Sequence, residues 1–241
     1  MRLKADIHIH TGDDPLDYVI HSNREMIDHA ANLGFEVLSI TNHDFMSHRE
    51  ELTDYAEHRG IVLIPGVEAT IENRHVLIYN FDYWSSPPRT FADVHRLRED
   101  NPDLLVVAPH PFFPSQFCLQ RKLLEHIELF DGIEFSHFYM RKMNFNRRAE
   151  GLAYRTDRTL VGTSDAHFLW QMGVTYSYIE AKEKSLSAVL EAIRQGQVEV
   201  ATRPLPAVDI LLRLRNYPSL KWRHLARRKG YRKNGEILRL R

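Results

Sequence analysis

Ala5-Asp6-Ile7-His8-Ile9-His10 reads as an apolar strand carrying two histidines two residues apart. On an extended chain such residues project from one side, so both imidazoles, with Asp6 on the same face, can reach one metal ion without bending the backbone. His-x-His also arises by chance. The fold and the chemistry therefore turn on whether the pattern recurs.

It recurs along most of the chain. Glu36-Val37-Leu38-Ser39-Ile40 runs into Thr41-Asn42-His43-Asp44, and Ile61-Val62-Leu63-Ile64 into Pro65-Gly66-Val67-Glu68. Leu104-Leu105-Val106-Val107-Ala108 ends at Pro109-His110-Pro111, and Gly132-Ile133-Glu134-Phe135 at Ser136-His137. Thr159-Leu160-Val161-Gly162 ends at Thr163-Ser164-Asp165-Ala166-His167, whereas His75 heads its own strand, His75-Val76-Leu77-Ile78-Tyr79. A further strand is expected at Tyr176-Ser177-Tyr178-Ile179. Apolar residues at helical spacing, a cap at Ser22 or Asn23 and closing glycines at Gly34, Gly60 and Gly196 predict helices at about 22–33, 47–58, 90–99, 119–129, 144–154 and 186–194.

Strands alternating with helices at this spacing predict a mostly parallel sheet. An open, doubly wound sheet gathers only some of its strand ends at a switch point, whereas a closed barrel brings all of them to one rim. The expectation is an α/β fold, a distorted (β/α)7 TIM-like barrel over 1–204 with a basic C-terminal extension over 205–241.

The composition limits the chemistry. A chain of 241 residues with 43% hydrophobic and 27% charged residues suits a soluble globular protein with a sizeable core. No apolar run approaches a membrane span, and Met1-Arg2-Leu3-Lys4 leads straight into the motif strand, so a cytoplasmic protein without membrane contact is expected. The single cysteine, Cys118, excludes an internal disulfide and a thiolate cluster, leaving His, Asp and Glu to hold any metal. The net charge of zero hides an asymmetry: 211–241 carries eleven Lys or Arg against Glu236, leaving 21 basic and 31 acidic residues before it. Such a tail suits an anionic partner, nucleic acid included, or the acidic body of its own chain.

Of fourteen histidines, His21, His29, His48, His58, His95, His126 and His224 fall on predicted helices or in the tail, where solvated or half-buried structural roles are usual. His8, His10, His43, His75, His110 and His167 stand at strand ends beside Asp, Glu, Gly or Pro. His137 suits either the site or a packed position among Phe135, Phe138 and Tyr139. Glu134 reads as a weak ligand or as a carboxylate behind the ligands, and Asp44 either as an orienting group or as a helix N-cap.

Asp6-x-His8-x-His10, Thr41-Asn42-His43-Asp44, Gly66-x-Glu68, His75, His110-Pro111, Ile133-Glu134 and Ser164-Asp165-Ala166-His167, in this order, resemble the PHP (polymerase and histidinol phosphatase) family of metal-dependent phosphoesterases over about 2–201. The resemblance implies a distorted seven-stranded β/α barrel with two to three divalent ions on its rim. It implies that His8, His10, Glu68 and Asp165 hold one ion and that Glu68 bridges to a second held by His75 and His110. A third would use His43, His167 and a residue of the turn after the first strand. Here the chain departs from the family, with Pro15 or Leu16 at the usual place, Asp14 nearest and Asp13 next.

Nitrogen and oxygen donors without thiolate suit Zn, Mn or Fe, which can activate a bridging water for attack on phosphorus. The expected function is hydrolysis of a phosphate monoester or diester, with Glu68 and Asp165 at the reacting centre and His137 as candidate proton donor. A phosphorylated small molecule, histidinol-phosphate-like or nucleotide-like, is the expected substrate. The alternatives are a 3'-5' nuclease or nucleotide-end phosphatase using the basic tail, and a non-catalytic nucleic-acid-binding subunit. Arg141, Arg147 and Arg148 could bind phosphate or form an exposed helical face.

Overall fold

A computed structural model describes residues 1–206; most of the expected basic extension, 207–241, lies outside the described residues. The described elements run β1 (Arg2–Ile9), α1 (Asn23–Asn32), β2 (Val37–Ile40), α2 (Glu50–His58), β3 (Val62–Leu63), β4 (Gly66–Ile71), β5 (Arg74–Tyr79), α3 (Phe91–Asp100), β6 (Leu105–Ala108), α4 (Arg121–Glu125), β7 (Gly132–Ser136), α5 (Asn146–Thr156), β8 (Thr159–Thr163), β9 (Thr175–Glu180), α6 (Leu186–Arg194) and β10 (Val198–Thr202). Single 3-10 turns lie at Ile127–Leu129 and Leu169–Gln171. Local chemistry sets the helix starts. Ser22 with Glu25 and Thr90 with Asp93 form capping boxes, and the Ser185 hydroxyl accepts from Ala188 N.

The strands form two five-stranded mixed sheets, β10-β9-β1-β2-β3 and β4-β5-β6-β7-β8. The pairs β1–β2, β2–β3, β6–β7 and β7–β8 are parallel, while β1–β9, β9–β10, β4–β5 and β5–β6 are antiparallel. This corrects the mostly parallel sheet expected from the sequence, and among the described residues the hydrogen bonding does not close a barrel. The error centres on 61–79. Pro65, which has no N–H to donate to a ladder, lies between β3 and β4, so Glu68 stands within β4 rather than at a strand end. β4 then turns back as a hairpin through Glu72 and Asn73, whose φ values of 47° and 62° suit a two-residue type I′ turn.

The two sheets share a core in which Leu3, Ala5 and Ile7 of β1 meet Leu77 and Tyr79 of β5, Leu105 and Val107 of β6 and Val161 of β8. The Tyr79 hydroxyl crosses this core to donate to Ile7 O at 2.8 Å. Two seams join the sheets at the ends that carry the motif residues. Asp44 N donates to Glu68 O at 3.0 Å beside a His43–Glu68 bridge, and His10 N donates to Ala166 O at 2.9 Å beside an Ile9–Ala166 bridge. No described helix is long and apolar enough to cross a membrane.

Candidate metal centre

Because both seams close at strand ends, the motif side chains meet in one buried cluster. Its hub is Glu68, 1% exposed on β4. Glu68 Oε2 lies 3.3 Å from His8 Nε2, 3.3 Å from His10 Nε2 and 3.1 Å from His43 Nε2. Glu68 Oε1 lies 2.8 Å from His75 Nδ1 and 3.1 Å from His110 Nε2. Asp165 Oδ1 closes the other side at 3.6 Å from His8 Nε2 and 3.3 Å from His10 Nε2. The structure thus gathers His8, His10, Glu68 and Asp165 on one side of the hub and Glu68, His75 and His110 on the other.

The nitrogens facing away from the hub are held. Glu134 Oε1 is 2.7 Å from His8 Nδ1, and Asp14 Oδ2 is 2.9 Å from both His10 Nδ1 and His43 Nδ1. Cys118 Sγ is 3.3 Å from His110 Nδ1. These contacts on Nδ1 hold each ring with Nε2 facing inward, the arrangement in which carboxylates stand behind metal-binding histidines. Glu134 also accepts from His110 N and the Thr163 hydroxyl.

The donor set fits divalent metal. His8 Nε2 and His10 Nε2 approach to 3.2 Å, and His75 Nδ1, 2.8 Å from Glu68, has no partner in hydrogen-bond geometry among the described residues. Ligands around a tetrahedral ion at 2.0–2.1 Å lie about 3.3 Å apart, so these close approaches match shared coordination. The set holds nitrogen and oxygen donors and no thiolate, which suits borderline ions rather than soft ones.

The electrostatics follow from burying six imidazoles with several carboxylates. Burial alone would push the imidazoles down, but Glu134, Glu68 and Asp165 outweigh it at His8 and raise it to about 10. His10 and His110 also rise well above the ordinary value, and His43 rises. Burial would conversely raise the carboxylates, yet the surrounding imidazoles hold Glu68 and Asp165 well below their usual range and lower Asp14. Asp6 differs: burial dominates and lifts it to about 7, while its Oδ1 accepts from Ser164 N at 3.1 Å. Asp44, His110 and Asp165 carry positive φ values of 48°, 28° and 47°, backbone strain of the kind that persists where surrounding structure over-determines it.

Asp14, expected as a ligand, is gathered with His10 and His43 in a group that could hold an ion, and its Oδ2 meets both ring nitrogens and His43 N while Oδ1 accepts from Leu16 N and Asp17 N. Asp17 reaches His167, with Oδ2 2.8 Å from Nε2, while Asp165 Oδ1 lies 3.6 Å from Nδ1, and burial opposed by the His167 contact leaves Asp17 lowered to about 2. It stands seven residues after His10, outside the spacing that drew attention to Asp14 and Asp13. His137, expected as candidate proton donor, is fully buried, and its Nε2 accepts from the Gln171 amide at 3.0 Å. Asp44 does not cap α2, which starts at Glu50 behind Arg49. Its Oδ1 accepts from Thr70 N at 2.9 Å and from Arg89 at 3.1 Å, stitching β4 to the turn after β2. Arg141, Arg147 and Arg148 are exposed, with the Arg148 guanidinium 4.5 Å over Phe112.

The family described as PHP-associated matches residues 144–198. No curated protein matches the chain. Among solved structures, a two-domain protein from Bacteroides vulgatus containing a predicted PHP-like metal-dependent phosphoesterase is 22% identical, with a TM-score of 0.68. The match covers 84% of this chain and 65% of that one, so this chain spans less than two thirds of its length. PsfC from Pseudomonas syringae is 18% identical with a TM-score of 0.60, covering 95% and 99% of the two chains. The lesion-specific endonuclease PfuEndoQ from Pyrococcus furiosus is 16% identical with a TM-score of 0.59, covering 83% and 58%. The resemblance to the PHP family is therefore carried by the motifs, by the match over 144–198 and by the fold.

Proposed function

We propose that the chain is a PHP-type hydrolase that cleaves a phosphate ester at a cluster of two to three divalent ions, Zn, Mn or Fe. One observation carries this reading: both oxygens of the buried Glu68 carboxylate are shared among five imidazoles, with Asp165 opposite. In this reading His8, His10, Glu68 and Asp165 hold one ion, and Glu68, His75 and His110 a second. A third is held by His43 and His167, with Asp17 taking the place first given to Asp14. When bound, the ions supply an activated water and neutralise charge on the phosphate oxygens.

The chain's own residues do the positioning. Glu134, Asp14 and Cys118 hold Nδ1 of His8, His10, His43 and His110, so each ring, once its Nε2 proton gives way to an ion, would present a lone pair to the centre. Asn42 fixes the turn after β1, accepting from Thr11 N at 2.8 Å and donating to the Thr11 and Ser47 hydroxyls. Arg89, whose guanidinium lies 3.1 Å from Asp44 Oδ1, joins Arg148 as a candidate for holding a substrate phosphate.

The substrate we favour is a phosphorylated small molecule. A second reading, a nuclease using the basic residues after 206, is favoured by the fold shared with the endonuclease from Pyrococcus furiosus. Turnover of phosphate monoesters, diesters and single-stranded oligonucleotides with Zn, Mn or Fe, with His8→Ala as control, tests both. Hydrolysis of monoesters that survives truncation after Pro206 supports the phosphatase. Oligonucleotide cleavage lost on truncation supports the nuclease, and no hydrolysis with metal bound removes both.

A further inference from the structure

His95 and His126 read in the sequence as structural histidines, but the fold brings them together with Glu128 at the surface. One ligand atom from each lies within 4.8 Å of the others, and His95 Nε2 is 3.5 Å from Glu128 Oε1. We infer that His95, His126 and Glu128 form a second cation site, for a borderline divalent ion of the Zn2+ or Cu2+ type, independent of the Glu68 cluster.

The placement follows from the sequence. Phe91 and His95 stand four residues apart on α3 and so share one helical face. The His126 ring stacks on Phe91 with centroids 4.1 Å apart and planes 11° from parallel, which sets it beside His95 and fixes its orientation. Glu128 follows two residues later in the 3-10 turn Ile127–Leu129. That turn is fastened to α3. Arg98 Nη1 donates to Leu129 O at 2.6 Å and to Asp131 Oδ2 at 3.1 Å, and Asp131 in turn accepts from Val106 N at 2.8 Å. Two ligands therefore come from one braced turn and the third from the helix it is braced to, so closing on an ion needs only side-chain rotation.

Two imidazoles with one carboxylate select Zn2+, Cu2+ or Ni2+ over Mg2+ or Ca2+, which prefer all-oxygen shells. The side chains of His95 and Glu128 are 44% and 57% exposed, so water can complete the shell. The site binds a single ion from solution and takes no part in the chemistry at Glu68.

Equilibrium dialysis of the full chain against Zn2+, with bound metal counted, tests this. His126→Phe keeps a ring on Phe91 while removing the ligand, and His95→Ala removes the other imidazole without touching the stack. The wild type is expected to hold about one equivalent more than either variant, with phosphoester turnover unchanged. Equal metal content in all three overturns the site. The same comparison on a His8→Ala background, His8→Ala against His8→Ala/His126→Phe, is expected to give the same difference whatever the central cluster retains. A failure of the proposed phosphoesterase is thereby distinguished from a failure of this site.

Discussion

At the residue scale, the proposed centre rests on groups that would stand behind the ions. Glu134 takes His8 Nδ1, His110 N and the Thr163 hydroxyl on one buried carboxylate. Replacing it by Gln keeps the shape but removes the charge behind His8. Glu134→Gln is expected to weaken metal binding by about 10–100-fold while the chain stays folded, read by dialysis of both proteins against the same metal buffer. Proton competition gives a second outcome. Because its carboxylate neighbours raise His8 to about 10, the metal-free ring is protonated at neutral pH and uptake must release that proton. Metal affinity is expected to rise between pH 6 and 8 with proton release on binding, and a pH-independent affinity would contradict it. The strand-end histidines were legible because their spacing repeats. Asp17 was not, because its approach to His167 depends on the loop after β1, which carries no periodic signal.

At the element scale, helices could be read and strand partners could not. Ser22, Thr90 and Ser185 cap helices close to the expected positions, because capping is local chemistry. The β4–β5 hairpin escaped notice because its turn is Glu72-Asn73 rather than a glycine-containing pair, so β5 read as a separate strand. Asn73→Val, placing a β-branched residue at φ 62°, is expected to cost about 1–2 kcal/mol in a denaturant titration, with Asn73→Gly tolerated. Gly66 opens β4 where Ser39 and Tyr79 close in; a Cβ there would stand 2.3 Å from Ser39 Oγ and 2.7 Å from Tyr79 Cδ1. Gly66→Ala is expected to destabilise by about 1–3 kcal/mol, and because β4 carries Glu68, to loosen metal binding as well. An unchanged melting temperature would show that Ser39 and Tyr79 yield more easily than their bonds to Ile64 O and Ile7 O suggest.

At the scale of the whole molecule, the cluster joins the two sheets, so its charge state should be felt in global stability. Metal-free protein is expected to melt lower than loaded protein, because a ligand that binds only the folded chain stabilises it. Its pH profile has a defined sign. His8, raised from 6.5 to about 10, contributes stability that is full below 6.5 and lost as pH rises through 10. Asp6, raised from 3.8 to about 7, adds a loss as pH rises through 7. Asp17, lowered from 3.8 to about 2, contributes stability present above 3.8 and lost as pH falls through 2. Because Asp6 sheds its contribution progressively from pH 3.8 to 7, these three groups together place the metal-free optimum near pH 4, measurable by thermal melts across pH. The α/β class could be read from the alternation of strands and helices. The division into two mixed sheets could not, because β9 and β10 return antiparallel beside β1 through long-range pairing that leaves no local pattern.

The central claim is that Glu68 bridges metal ions that hydrolyse a phosphate ester. It is tested most directly by counting bound metal and phosphoester turnover in the same preparations of wild type and Glu68→Gln. The wild type should hold at least two ions beyond any at His95 and His126 and turn over with metal dependence, while Glu68→Gln loses bound ions and activity together. Glu68→Gln retaining both metal and turnover, or a fully loaded wild type hydrolysing no phosphoester, would contradict it.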